Sequence, residues 1–179
     1  MHRYSLQMKK RVLYLSYDGL TDPLGQSQIL PYLFVLSKKG IQFTIISFEK
    51  KENKQGKSSI ANQLKKHDIT WYPLSYTKKP PIVSTIRDIY RLRKTSIKLH
   101  NSSPFDLVHC RSYITSLVGL YFKRKRAIPF VFDMRGFWAD ERFDGKIWSS
   151  NNPLYSFVYR YFKKKEKEFL TESDFIISL

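Results

Sequence analysis

Six short apolar, β-branched runs alternate along the chain with longer segments of helical period, and this alternation restricts the fold more than any other feature. The runs are residues 12–16, 43–48, 69–74, 107–110, 130–133 and 175–179. Strands separated by helices specify a parallel sheet. The runs are apolar on both faces, as strands covered by helices on both sides are. The expectation is an α/β domain: a Rossmann-like, doubly wound, mostly parallel sheet with helices on both faces, filling residues 1–179.

The intervening segments supply the helices. Residues 26–39 place Ile29, Leu30, Leu33, Phe34 and Leu36 along one stripe, with Pro31 near the start and Gly40 as the stop, which predicts one buried helix after the first strand. In 82–97, Ile82, Ile86, Ile89, Tyr90, Arg93 and Ile97 recur at threes and fours while Arg87, Arg91, Lys94 and Lys98 fill much of the rest, predicting one dry and one basic face. A last helix opens with Asn152 as N-cap and Pro153 at its first position. It is expected to bury Leu154, Phe157, Val158, Tyr161 and Phe162 and expose Arg160, Lys163, Lys164 and Lys167. Residues 49–59, polar and Lys-rich, read as a mobile surface loop.

Composition bounds the function. A chain of 179 residues, 42% apolar and 16% aromatic, has the material for a core, which excludes a wholly disordered protein despite a net charge of +17. The single cysteine, Cys110, excludes an internal disulfide framework and fits a cytoplasmic setting. The start is basic, but the apolar run after it stops at Asp18, too short for a signal-peptide core. No apolar stretch reaches the roughly 18–20 residues that cross a bilayer, so any membrane contact is expected to be peripheral.

The basic surplus concentrates in 50–66, 87–98, 123–126 and 163–167. Solvated helix faces account for many of these charges, yet the excess attracts anions, leaving anionic lipid headgroups and nucleic acid as candidate partners. Lys163, Lys164 and Lys167 are the candidate membrane contacts. Tyr90, Tyr121, Phe122, Tyr161 and Phe162 fall on apolar stripes and read as core rather than as platforms for bases.

In an open parallel sheet, ligands bind at the carboxyl ends of the strands. After the first strand, a turn-rich loop from Tyr17 to Gln28 delivers Gly25, Gln26 and Ser27 to a helix start, an arrangement suited to a phosphate or a polar sugar; an ordinary strand-to-helix turn is the alternative. After the fourth strand, Arg111 can reach the crevice, while His109, inside the strand, reads as a core residue. After the fifth, Asp133, Arg135, Trp138, Asp140 and Glu141 crowd a short segment. Carboxylates accept from sugar hydroxyls, an arginine clamps a phosphate and a tryptophan stacks on a sugar face. A structural ion-pair turn is the alternative. Scattered His and one Cys make no zinc site, and no P-loop, GxGxxG or Asp-x-Asp occurs, so neither cofactor nor metal is expected.

These residues resemble a known family. Asp18-Gly19 through Gly25-Gln26-Ser27-Gln28, then Phe105-Asp106-Leu107-Val108-His109 before Arg111-Ser112, then Asp133-Met134-Arg135-Gly136-Phe137-Trp138, look like the amino-terminal half of family 4 glycosyltransferases, the similarity running from about Arg11 onward. The resemblance implies a GT-B enzyme of two Rossmann-like domains. The first would bind mainly a glycan or lipid-linked acceptor, and the second a nucleotide-sugar donor. Transfer would proceed with retention and usually without a bound metal. It places Gly25, with Gln26 and Ser27, near donor phosphates or acceptor, and Asp133 and Arg135 facing the cleft. Many relatives carry a His near Arg135 and a second near Arg111; here both positions are Arg, so no catalytic base is assigned and an anion-binding crevice gains weight.

The sequence ends within a strand-like run, which predicts the first half of a longer protein and an isolated chain without activity. The reading is thus the acceptor-side domain of a cytoplasmic, peripherally membrane-associated glycosyltransferase of bacterial type, making a surface polysaccharide or glycolipid. The rival is a basic module that binds nucleic acid without catalysis; carboxylates clustered at the strand ends speak against it.

Overall fold

The computed structural model describes residues 9–53, 56–148 and 151–178. Strands β1 (Lys10–Ser16), β2 (Ile41–Glu49), β3 (Thr70–Ser75), β4 (Leu107–Arg111), β5 (Phe130–Met134) and β6 (Phe175–Ser178) form one sheet in the order β3-β2-β1-β4-β5-β6. Every neighbouring pair is parallel. The fold is the expected Rossmann-like α/β arrangement. From β1 the chain steps outward to β3, then returns to lay β4 on the other side of β1. Loops leaving β1 and β4 therefore diverge and open a crevice at their carboxyl ends.

The helices are α1 (Pro23–Gln28), α2 (Leu30–Ser37), α3 (Gly56–Lys66), α4 (Pro81–Ser102), α5 (Ser112–Arg126), α6 (Trp138–Asp144) and α7 (Pro153–Glu172). Alternate residues of each strand feed two cores. Val12, Tyr14, Phe43 and Ile45 pack with Ile29, Leu33, Ile60 and Leu64 on one face. Leu13, Leu15, Ile46 and Phe48 pack with Leu92, Val118, Phe122 and Phe169 on the other. This two-sided burial is why the strand runs are continuously apolar.

Five expectations need correction. The helix over 26–39 is two helices. Pro31 has no N–H to continue the ladder, and the chain turns at Ile29 (φ −107°, ψ −57°). In α4, Ser84, Asp88, Leu92 and Ser96 face the core, while Val83, Ile86 and Tyr90 are more than 60% exposed. The polar face turns inward because Asp88 is satisfied there: its carboxylate accepts from the Tyr17 hydroxyl, the Thr77 N–H and Arg91.

In α7, Asn152 accepts from the Leu154 N–H as expected of an N-cap, but the core-facing positions are Phe162, Glu166 and Phe169. Leu154, Phe157 and Tyr161 remain exposed, because the first turns of α7 pack on the core through Tyr155, Val158 and Tyr159 instead. Likewise β6, expected as a buried strand, exposes Phe175, Ile176 and Ile177; it pairs only with β5, at the sheet edge. Finally, the loop expected over 49–59 is largely ordered. Glu49 ends β2, a 3-10 turn spans Lys51–Asn53 and α3 begins at Gly56, with residues 54 and 55 outside the described residues. Asp22 holds this segment, pairing with Lys50 at 2.9 Å and accepting from the Asn53 amide at 2.6 Å.

Candidate functional site

A pocket of about 350 Å³ opens at the carboxyl ends of β1, β4 and β5, lined by Tyr17, Asp18, Gln28, Arg111, Arg135, Trp138, Glu141 and Arg142 among others. Its floor is a buried charge network. Arg111 is 2% exposed and Asp133 equally buried. The Gln28 side-chain carbonyl accepts from Arg111 Nη2 and Arg135 Nη2, both at 2.8 Å. Asp133 lies 3.4 Å from Arg135 Nη1, 3.8 Å from Arg111 Nη1 and 3.4 Å from His109 Nε2. Arg111 Nε reaches Asp18 at 3.5 Å, and that carboxylate is half exposed to the pocket.

Burial alone would raise the Asp133 pKa. The His109 hydrogen bond and the charges of Arg135 and Arg111 outweigh that and hold the carboxyl below its ordinary range. The opposite holds for Arg142, whose guanidinium lies 4.5 Å above the Trp138 ring and 5.9 Å from that of Trp148. Burial lowers its pKa.

Local sequence explains the pocket walls. At the end of β4 the chain enters α5 through Arg111 in extended conformation and Ser112 in the left-handed region (φ 69°), which leaves Arg111 beneath the crevice. The β1 loop is tied down by Glu49, buried at the end of β2, which accepts from the N–H groups of Leu20 and Thr21 and from the Thr21 hydroxyl. At Gly25 a Cβ would sit 2.2 Å from the Gly19 carbonyl oxygen, so the close approach of α1 to this loop demands glycine.

Of the expected site residues, the structure brings Asp18, Arg111, Arg135, Trp138 and Glu141 to the pocket lining, with Asp133 behind them. The others serve elsewhere. Gly25 packs the loop, the Gln26 amide donates to the Thr21 carbonyl and the Ser27 hydroxyl to that of Pro23. Asp140 faces α7, accepting from the Tyr159 hydroxyl at 2.7 Å and from Lys163 at 2.8 Å. Lys163 also pairs with Glu166, so it is not the free membrane contact expected of it; Lys164 and Lys167 remain exposed. Trp138 presents no free face for a sugar, since Arg142 covers it and Phe162, Trp148 and Tyr113 pack around it.

Two residues of the pocket stood within quoted segments of the sequence without being singled out as site residues. Gln28 stands inside a quoted motif, one residue beyond those selected. Arg142 lies at helical spacing, four residues beyond Trp138, and that spacing is the signal that places a cation over the ring.

A second, larger concavity of about 700 Å³ lies at the carboxyl ends of β2 and β3. Lys50, Lys51, Lys78, Lys79, Arg87 and Arg91 line it together with Glu52. Lys50 pairs with Asp22 and Arg91 with Asp88. Lys51, Lys78, Lys79 and Arg87 are exposed and make no ion pair among the described residues. Among the described residues, no group of three His, Cys, Asp or Glu is placed to hold a metal ion, and no helix is long and apolar enough to cross a membrane.

No protein-family model and no curated protein matches the chain. Solved structures do. UGT89C1 from Arabidopsis thaliana, complexed with UDP, superposes with a TM-score of 0.53 at 12% identity over 94% of this chain and 44% of its own. UGT73P12 from Glycyrrhiza uralensis, complexed with glycyrrhetinic acid 3-O-monoglucuronide, gives 0.50 at 12% identity, covering 80% of this chain and 33% of its own. The C-terminal domain of the PF1911 hydrogenase from Pyrococcus furiosus gives 0.52 at 14% identity, covering 72% and 93%. This chain thus spans less than half the length of the two UGT proteins. At these identities the likeness is one of fold: a Rossmann-like α/β domain shared with the two UGT structures and the hydrogenase domain.

Proposed function

We propose that this chain is the acceptor-side domain of a retaining, two-domain glycosyltransferase of the family 4 type, with the crevice at the ends of β1, β4 and β5 as its half of the active cleft. The observation that carries this reading is the network of buried Arg111 and Asp133 with half-buried Arg135 and exposed Gln28, beside a pocket rimmed by Asp18 and Glu141, at the point where the strand order reverses. Ligands of open α/β sheets sit there. Rim carboxylates accept hydrogen bonds from the hydroxyls of a glycan or lipid-linked acceptor, while the second domain carries the nucleotide-sugar. The shared fold with UGT89C1, whose structure contains UDP, supports a nucleotide-sugar donor.

In this scheme Asp133 and Arg135 act as a rigid unit. Asp133 fixes the arginine fork, and the fork presents N–H donors to substrate oxygens; holding them in place before substrate arrives removes the reorganisation that catalysis would otherwise have to supply. Lys164, Lys167, Leu154, Phe157 and Tyr161, all exposed on α7, support peripheral contact with an anionic membrane, as a bacterial surface polysaccharide or glycolipid pathway requires.

Turnover assays with UDP- and GDP-sugars test the proposal. The isolated chain should be inactive, and the two-domain protein active. Arg135→Lys in that protein keeps charge but loses the planar fork, and should lose roughly a hundredfold in kcat/KM. Activity of the isolated chain, or an indifferent Arg135→Lys, would defeat the reading.

A further inference from the structure

Three guanidinium groups in the crevice each have a nitrogen without a hydrogen-bond acceptor among the described residues. Arg111 Nη1, Arg135 Nε and Arg142 Nε are buried and make no hydrogen bond among the described residues. All three side chains line the same pocket. Arg111 and Arg135 at least have Asp133 and Gln28. The Arg142 side chain has neither hydrogen bond nor ion pair among the described residues, only the rings of Trp138 and Trp148. A cation withdrawn from water with an unused donor is costly unless an anion completes it. The stacking holds the guanidinium in one plane beside the pocket.

The pocket also holds the opposite chemistry. Asp18 is half exposed and Glu141 exposed on the rim, and neither is paired with Arg142. A bare anion gains nothing from these carboxylates, whereas a ligand bearing both an oxyanion and hydroxyl groups satisfies both halves. The volume, about 350 Å³, lies within the range of small-molecule sites. We infer that the crevice takes an acidic sugar unit, its carboxylate or phosphate seated on Arg142 with Arg111 and Arg135, and its hydroxyls on Asp18 and Glu141. That the occupant is a sugar rests on the glycosyltransferase reading; that it is anionic rests on the arginines. Arg142 is then a specificity-determining residue, selecting acidic over neutral ligands.

The experiment titrates the 179-residue chain with D-glucuronate, glucose 6-phosphate, glucose and inorganic phosphate, following the arginine Nε–Hε NMR signals. Glucuronate or glucose 6-phosphate should move the Arg142 signal and bind about tenfold or more tighter than glucose, the worth of a charge-assisted hydrogen bond. R142Q should erase that preference, R142K should keep part of it, and K78A/K79A in the lysine basin should leave it intact. Glucose binding as well as glucuronate and glucose 6-phosphate in the wild-type chain, an unchanged preference in R142Q, or loss in K78A/K79A instead would each overturn the inference. Inorganic phosphate binding as tightly as glucose 6-phosphate would overturn the sugar. No turnover is measured, so an inactive two-domain protein would sink the glycosyltransferase reading while leaving the anionic site standing, and the titration sinks the site without touching the fold.

Discussion

Two concavities at the same end of the sheet treat positive charge in opposite ways. In the crevice between β1, β4 and β5, Arg111 is buried and Arg135 and Arg142 half-buried; Asp133 and Asp18 partly neutralise this charge, and the Gln28 carbonyl accepts from Arg111 and Arg135. In the basin beyond β2 and β3, lysines and Arg87 stand in solvent, and four of the six cations have no ion pair among the described residues. A buried cation must be held in one geometry because the cost of leaving it unpaired is large; an exposed one is held by water and need not be held at all. The crevice is therefore rigid and directional, and the basin is a diffuse field.

The largest expected difference between the two is in stability. Asp133→Ala leaves Arg111 buried beside Gln28 and a long contact to Asp18, and should cost about 3 kcal/mol or more in urea unfolding. Arg87→Ala in the basin should stay within about 0.5 kcal/mol of wild type. Equal effects would dissolve the distinction between the two regions.

Glycines extend the test to the backbone. A Cβ at Gly25 meets the Gly19 carbonyl oxygen and the Leu20 Cα, both backbone and unable to swing away, so Gly25→Ala should cost about 1–3 kcal/mol. On the basin side, a Cβ at Gly56 comes no nearer than 3.8 Å to Thr21, and Gly56→Ala should be neutral or slightly stabilising. Thermal unfolding of the pair reads the contrast directly.

What the sequence made legible follows the same divide. Strand positions showed plainly, because burial on both faces leaves one solution for runs such as 12–16 and 130–133. Strand ends showed too, so Asp18, Arg111, Asp133, Arg135, Trp138 and Glu141 were within reach. Helix orientation was not: α4 turns Asp88 inward because Tyr17, Thr77 and Arg91 satisfy it, and those partners come from other elements. Hydrophobic period alone therefore favoured the wrong face, with Ile86 and Tyr90 inside. Pairing between distant residues was equally hidden, which is why Asp140 looked like a rim residue and Lys163 like a free charge until α6 and α7 came together.

Acid should separate the regions next. The Asp133 pKa is held below its unfolded value, so its contribution to stability is complete above about pH 4 and disappears as the pH falls through the lower folded value. The stability gap between wild type and Asp133→Asn should accordingly shrink as the pH is lowered below about 4. Arg87→Ala should track the wild type throughout, since its charge does not titrate there. A gap that stays constant to low pH would mean that Asp133 is not the anion balancing the arginines.

The smallest effect expected concerns cations that the helices share out between partners and solvent. On α7, Lys163 is bound to Asp140 and Glu166, whereas Lys164 and Lys167 are exposed, as are Leu154, Phe157 and Tyr161 of the same helix. A lysine near an anionic bilayer contributes about 1 kcal/mol, and the field fades over about 8 Å at physiological ionic strength. Lys164→Ala and Lys167→Ala should each weaken co-sedimentation with anionic vesicles roughly fivefold in low salt, less as salt rises, and leave neutral vesicles unaffected. Lys163→Ala should act on folding instead, lowering the unfolding midpoint while changing vesicle affinity little, because the lost charge was already spent on two carboxylates. If Lys163→Ala weakened vesicle binding as much as the other two, pairing within the fold would not be what decides which cations are free to bind a surface.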